Sequence, residues 1–469
     1  MIKTVHKLTA WSLIVAICLL SAATPAGTFT IGEERELGEK LLYSVRTTFD
    51  LVDDPDVTQY INRVGQSVLE VAGVQYFDYH FYVINDKRFN AFAAPSGLIF
   101  FYSGLIATMK TEDEFVSVIA HEIGHIVKRH LAARMEKGKY SSIASLGLAL
   151  AALAFGGAAA PALLTGALAA GQSMNLHFSR LHEEEADLLA YGWLKKLHRN
   201  PEGQVEMLKS MRRIARYRSD KLPQYLLTHP NPEQRLEDIE ALIDIDNGGR
   251  TEIPTVADDF AFLRFKYRIL SQVKDTSLFK LSLDRIIANS TSSNFSKIMA
   301  RYGLSQVAKN EKNYDLALNH LEKVITYFPG KNILFTDKGV IEFAAGQFRK
   351  AEESLEFALS RNRSDMYATI TLASLLYRKG DLAGAQSYLK TITGYMPEYS
   401  QPYFELGQIA SDKKQEGLSS FYLGKYYLYE GRLGLAETGL KKALRTVTTP
   451  AKIKAECKKM LDKIKQLKK

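Results

Sequence analysis

His121-Glu122-Ile123-Gly124-His125 is the stretch on which the reading of this 469-residue chain turns. On a helix, side chains four apart stand one above the other, so both imidazoles can reach one ion while Glu122 leans towards an open coordination position. The flanks specify such a helix. Thr111 with Glu114 three residues on has the form of a capping box, acids fill the first turn, Lys128, Arg129, Arg134 and Lys137 fall late, and Gly138 is a stop. With ten histidines in the chain, a chance HExxH has odds of about one in a hundred, so a third ligand has to carry part of the argument.

That ligand comes 58 residues past His125, in Phe178-Ser179-Arg180-Leu181-His182-Glu183-Glu184-Glu185-Ala186-Asp187. Glu183 and Asp187 are four apart at an acid-rich helix start and face the same way. Glu183 would complete a His/His/Glu set, and Asp187 would accept the second ring N–H of a ligand histidine, His121 foremost, fixing its tautomer. The plainer alternative for Glu183 to Glu185 is a solvated helix start favoured by the macrodipole. His130, five residues past His125, is expected about half a turn round the same helix, pointing away from the metal.

HEIGH followed by FSRLHEEEAD resembles the gluzincins that include CAAX prenyl protease and the HtpX-like heat-shock proteases, whose pattern is HExxH and then SRxxExxAD. The resemblance implies zinc held by His121, His125 and Glu183, Glu122 as general base, and Asp187 behind a ligand. Asn90-Ala91-Phe92-Ala93, Gly97 and the run Leu98 to Tyr102 resemble the strand before the catalytic helix in that family. Leu98 to Tyr102 is therefore expected to be an edge strand that holds an extended peptide by main-chain pairing, with simple sheet core as the alternative. Thr228-His229-Pro230 with Arg235 resembles the family's His-Pro element. His229 is then expected at the metal, in its open position or at the oxyanion, with Arg235 supplying charge nearby; a plain loop is the alternative.

Composition agrees with a multidomain globular protein: 46% of residues are hydrophobic and 24% charged. Lys3 and Lys7, the apolar run Leu8 to Leu20 and the small residues Ser21 to Ala26 read as a secretory signal, an uncleaved anchor being the alternative. Cleavage would remove Cys18, leave Cys457 unable to form an internal disulfide, and take two lysines off a net charge of +9, leaving +7. The basic tail Lys452 to Lys469 could touch nucleic acid or anionic lipid. Its Ile453, Met460, Leu461, Ile464 and Leu467 nevertheless recur at helical spacing, so a capping helix with a solvated face is expected and no nucleic-acid partner.

From Ser141 to Leu176 no residue is charged. His125 and Glu183 are expected on one ion, so any membrane crossings between them must be even in number, and two spans of about 20 residues do not fit. A helical hairpin beside the site is expected, with contact of 141–176 with a membrane as the alternative.

Downstream, Ala317, Ala351 and Ala385 recur every 34 residues, the tetratricopeptide period, and a fourth unit at Gly431 to Ala436 is displaced to 51 by an inserted half-repeat. The expected architecture is mainly α: a signal peptide over 1–26, a gluzincin-type metalloprotease domain with a small β-sheet over 27–250, a helical linker over 251–295, and a tetratricopeptide α-solenoid over 296–469. The expected function is an exported, periplasmic zinc metalloendopeptidase with protein or peptide substrates. Outer-membrane or misfolded envelope proteins would be gripped by the repeats, which would select partners without supporting catalysis. The alternative is a chaperone-like binding protein with a largely latent protease site.

Overall fold

The computed structural model describes residues 30–137, 178–217, 223–246 and 259–468. The expected signal over 1–26 and the uncharged stretch 141–176 lie outside the described residues. Among the described residues no helix is long and apolar enough to cross a membrane.

The sheet has three strands, β1 (His80–Ile84), β2 (Ala91–Ala94) and β3 (Leu98–Tyr102), in the order β1-β3-β2. β3 pairs parallel with β1 and antiparallel with β2, and all five of its residues are buried. It is therefore the central strand and not the expected edge. A run such as Leu-Ile-Phe-Phe-Tyr, apolar on both faces, is what a strand covered on both sides requires. The turn from β2 into β3 needs its glycine: Gly97 has φ 84°, and a Cβ there would stand 2.6 Å from the Asp78 carbonyl oxygen.

The HExxH helix runs Glu112–Val127 and buries Phe115, Val116, Ile119 and Ile123 in the main core with Tyr60, Phe101 and Phe265. Thr111 Oγ accepts from the Glu114 amide, but the Glu114 carboxylate accepts from Lys110 N–H, one residue before the cap, so half of the expected capping box is present. The helix stops at Val127, eleven residues before Gly138. Arg129 adopts φ 52°, in the left-handed region, and a new helix begins at His130 (His130–Lys137).

The solenoid stacks antiparallel helix pairs: Asn294–Asn310 with Tyr314–Tyr327, Ile333–Ala344 with Phe348–Arg361, and Met366–Lys379 with Leu382–Tyr395. Ala317, Ala351 and Ala385 are fully buried on the second helix of each pair, where small side chains let the partner helix close in. The period continues further than expected. Ser419, 34 residues after Ala385, lies on the second helix of a fourth pair (Gln401–Asp412 with Glu416–Tyr429), and its hydroxyl donates to the Gly407 carbonyl at 2.9 Å. Ala436 is displaced because Glu416–Tyr429 is used twice, packing also on Leu433–Arg445 with Gly424 against Leu440. The final helix, Ala451–Leu467, caps the stack with Cys457 and Ile464 buried and Lys452, Lys458, Lys459 and Lys465 exposed, as expected.

The expected linker is helical but is not a spacer. On the helix Phe260–Leu270, Phe262, Phe265 and Ile269 enter the main core, while Phe260 and Tyr267 enter the core of the first repeat. Arg264 and Arg268, four apart on this helix, are buried among carboxylates from both sides. Arg264 pairs with Asp56 at 2.6 Å and Asp337 at 2.8 Å; Arg268 pairs with Asp54 at 2.7 Å and Asp337 at 3.2 Å and lies 3.9 Å over the Tyr367 ring. At the far end the solenoid returns to the first helix, Ile31–Thr48, where Arg46 pairs with Glu398 at 2.7 Å and Gly431 packs on the Tyr43 carbonyl. The repeats thus hold the sheet-containing domain at both ends.

Candidate metal centre

Four segments bring the site together. The HExxH helix carries His121, Glu122 and His125; the Arg180–Lys196 helix carries Glu183 and Asp187; the turn after Gln224–Thr228 carries His229; and Pro232–Asp246 carries Arg235. All seven side chains are buried. Gly124 makes the approach of the first two helices possible, since a Cβ there would already be 3.2 Å from Ala186 Cα.

His121 Nε2 and His125 Nε2 are 3.0 Å apart, and Glu183 lies 3.6 Å from the first and 3.4 Å from the second. His229 Nδ1 stands 3.0 Å from Glu183 Oε1 and 3.4 Å from His121 Nε2. Bonds of about 2.0–2.1 Å to a tetrahedral ion place its ligand atoms about 3.3–3.4 Å apart, and these separations scatter round that value. One donor atom from each of His121, His125, Glu183 and His229 falls within 4.8 Å of all the others.

The surrounding groups fix protonation to suit a cation. His121 Nδ1 lies 2.8 Å from Asp187, so its proton sits there and Nε2 faces the cluster bare. Burial alone would raise the Asp187 pKa, but Arg235 and His121 hold it at about 2. Burial likewise opposes charge on His121, and Asp187 outweighs it, so that pKa rises. His125 is driven well below its ordinary value by burial. Glu183 stays ionised despite burial because His229 and Arg235 lie beside it. Arg235 forks onto Asp187 at 2.6 and 2.8 Å and reaches Glu183 at 2.6 Å. One carboxylate and three imidazoles, each offering a donor atom to the same cluster, make a donor set for a divalent transition metal.

Glu122 points to the same side, its Oε1 3.7 Å from His229 Nε2. Tyr225 stacks on His229 with centroids 4.3 Å apart, and Phe178 stacks on His125 at 4.1 Å while its amide donates to the Thr228 carbonyl. Every residue singled out for the site is therefore in it. His130 corrects the sequence reading. The helix break at Arg129 turns its ring back, and His130 Nδ1 lies 2.8 Å from His125 Nδ1, where a continuous helix would have carried it away. No local signal marks that break, since Lys128-Arg129 reads equally well as the basic end of a longer helix.

This is the constitution of a metallopeptidase: residues 55–243 match Peptidase family M48, and residues 342–406 match the tetratricopeptide repeat. It is similar to the β-barrel assembly-enhancing protease of Escherichia coli (strain K12), with 29% identity over 95% of this chain and 90% of that one. The protein of that name from Yersinia pestis is 29% identical over 80% of this chain and 76% of its own length. The mitochondrial metalloendopeptidase OMA1 of Schizosaccharomyces pombe is 29% identical over 44% of this chain and 56% of that one.

Proposed function

We propose that the chain is a zinc metalloendopeptidase of the cell envelope, exported to the periplasm and acting in quality control or assembly of outer-membrane proteins. The observation that carries the chemistry is the near-tetrahedral spacing of His121, His125, Glu183 and His229. Bound zinc supplies Lewis acidity, polarising the scissile carbonyl and lowering the pKa of water. Glu122 takes the proton of the attacking water and passes it to the leaving amine. Asp187 fixes the tautomer of His121, and Arg235 holds Asp187 and Glu183 in register. Main-chain pairing of an extended substrate falls to β2, an edge strand in contact with the HExxH helix, rather than to β3. Outer-membrane or misfolded envelope proteins engage the repeats, a role supported by the matched repeat segment and by the names of the relatives.

Metal analysis tests the ligand set. The full chain is expected to hold one zinc, which His125→Ala and Glu183→Ala lose; undiminished zinc in either variant would sink the assignment. Asp187→Ala should weaken affinity by about 10–100-fold without abolishing it.

His229 closes the open side in a resting state. Its Nδ1 stands among the candidate ligand atoms, which supports latency and hence the chaperone-like reading. His229→Ala is expected to raise cleavage of an unstructured peptide several-fold. A fall of about 10²–10³ in kcat would instead assign His229 to the oxyanion.

A further inference from the structure

A ligand histidine needs a partner for its second ring nitrogen, and the two histidines of HExxH are served differently. His121 has the buried Asp187, itself held by Arg235. Among the described residues no carboxylate pairs with His125 Nδ1; the atom at 2.8 Å is His130 Nδ1. His130 Nε2 in turn lies 2.9 Å from Glu185 Oε2, and the His182 ring stacks on His130 with centroids 4.3 Å apart and planes 15° from parallel. Glu185 is at the surface, 3.5 Å from Lys128.

Resting on the zinc reading above, we propose that His130, oriented by Glu185, is the positioning residue for His125. Proton bookkeeping allows one arrangement. Ligation through Nε2 leaves the His125 proton on Nδ1, which must donate. His130 Nδ1 must accept, so the proton of this neutral ring is on Nε2 and is donated to Glu185. Each ring has one tautomer, each contact one donor and one acceptor. The metal is then supported unequally: a buried carboxylate behind His121, and behind His125 a neutral imidazole whose own anchor is in solvent. Charge behind the ring raises ligand basicity, so the His125 arm is the weaker one, and loss of metal starts there.

The experiment is chelator competition for zinc on the full chain, with cobalt(II) substitution as a second readout. His130→Ala is expected to weaken zinc affinity by about 10–100-fold while saturating zinc still gives the wild-type stoichiometry and the cobalt visible bands keep their tetrahedral intensity. His130→Gln, whose amide oxygen can accept from His125 Nδ1, should recover most of the affinity. Glu185→Ala should cost less than His130→Ala, and the double variant no more than His130→Ala alone, because Glu185 acts through His130. Unchanged affinity in His130→Ala, additive losses in the double variant, or altered cobalt bands, which would make His130 a ligand, would each overturn the proposal. His130→Gln guards against a folding artefact, since failure of both variants with apo circular dichroism unlike wild type would assign His130 to packing instead. A wild-type chain that takes up no zinc would sink the parent reading, and this one with it.

Discussion

Glu122→Gln is expected to lower peptide hydrolysis by about 10²–10⁴-fold while zinc content stays at the wild-type level. Glutamine keeps the size and most of the hydrogen bonding of glutamate, and Glu122 is outside the set of four side chains whose donor atoms converge, so neither fold nor metal should suffer. What is lost is a group able to take a proton. The side chain is only 1% exposed and shares a helix with His121 and His125, so no solvent carboxylate replaces it. Turnover of an unstructured peptide together with metal analysis checks both halves. Retained activity would move the base elsewhere, and lost zinc would make Glu122 a ligand. If the variant still supports envelope assembly in cells, binding and not cleavage is the principal activity.

The second large effect lies far from the metal. Asp337→Ala is expected to destabilise the protein by about 3–5 kcal/mol, the usual cost of stripping one partner from a buried ionic cluster. Asp337 meets Arg264 and Arg268 at once and also receives the Tyr302 hydroxyl at 3.4 Å, so its removal leaves two buried guanidinium groups short of charge. A lowered urea midpoint and earlier proteolytic release of the repeats would be the signature; an unchanged midpoint would show that water satisfies the cluster. Acid should act on the same joint. Burial opposes the charge on Asp54, but Arg268 outweighs it and lowers its pKa on folding. Its contribution is therefore fully present above the ordinary carboxylate range near pH 4 and is lost as pH falls through the lowered folded value.

The clustering of these side chains was legible because helical periodicity is local: His121 and His125, and then Glu183 and Asp187, declare themselves four residues apart. His130 did not, because its position depends on a single left-handed residue, Arg129, that nothing in its neighbours demands. The strand Leu98 to Tyr102 was recognisable as a strand, but whether it lies at the edge or the centre is decided by what pairs on its far side. The pair that carries Ser419 went unread for a simple reason: Ser419 stands where the earlier repeats have alanine, and its hydroxyl is satisfied within the pair. Nothing in the sequence singles out Arg264 and Arg268. Their partners Asp54, Asp56 and Asp337 come from distant parts of the chain, and sequence spacing carries no sign of such pairings. The residues on either side of 295 share one core, in which Phe260, Tyr267 and Leu283 pack with Met299 and Tyr302.

The return of the solenoid to the first helix has a consequence for how the molecule is made. Arg46 and Glu398 are 352 residues apart, so the helix Ile31–Thr48 emerges early and waits for a partner that is synthesised near the end. Contacts of such separation are closed late and slowly, since chain entropy must be lost before they contribute. Until then Tyr43 and Arg46 lack their cover, and an incomplete chain presents an aromatic and cationic surface of the sort that sticks to other unfinished proteins. A chain built this way is thus a slow assembler, vulnerable for as long as its last repeats are missing.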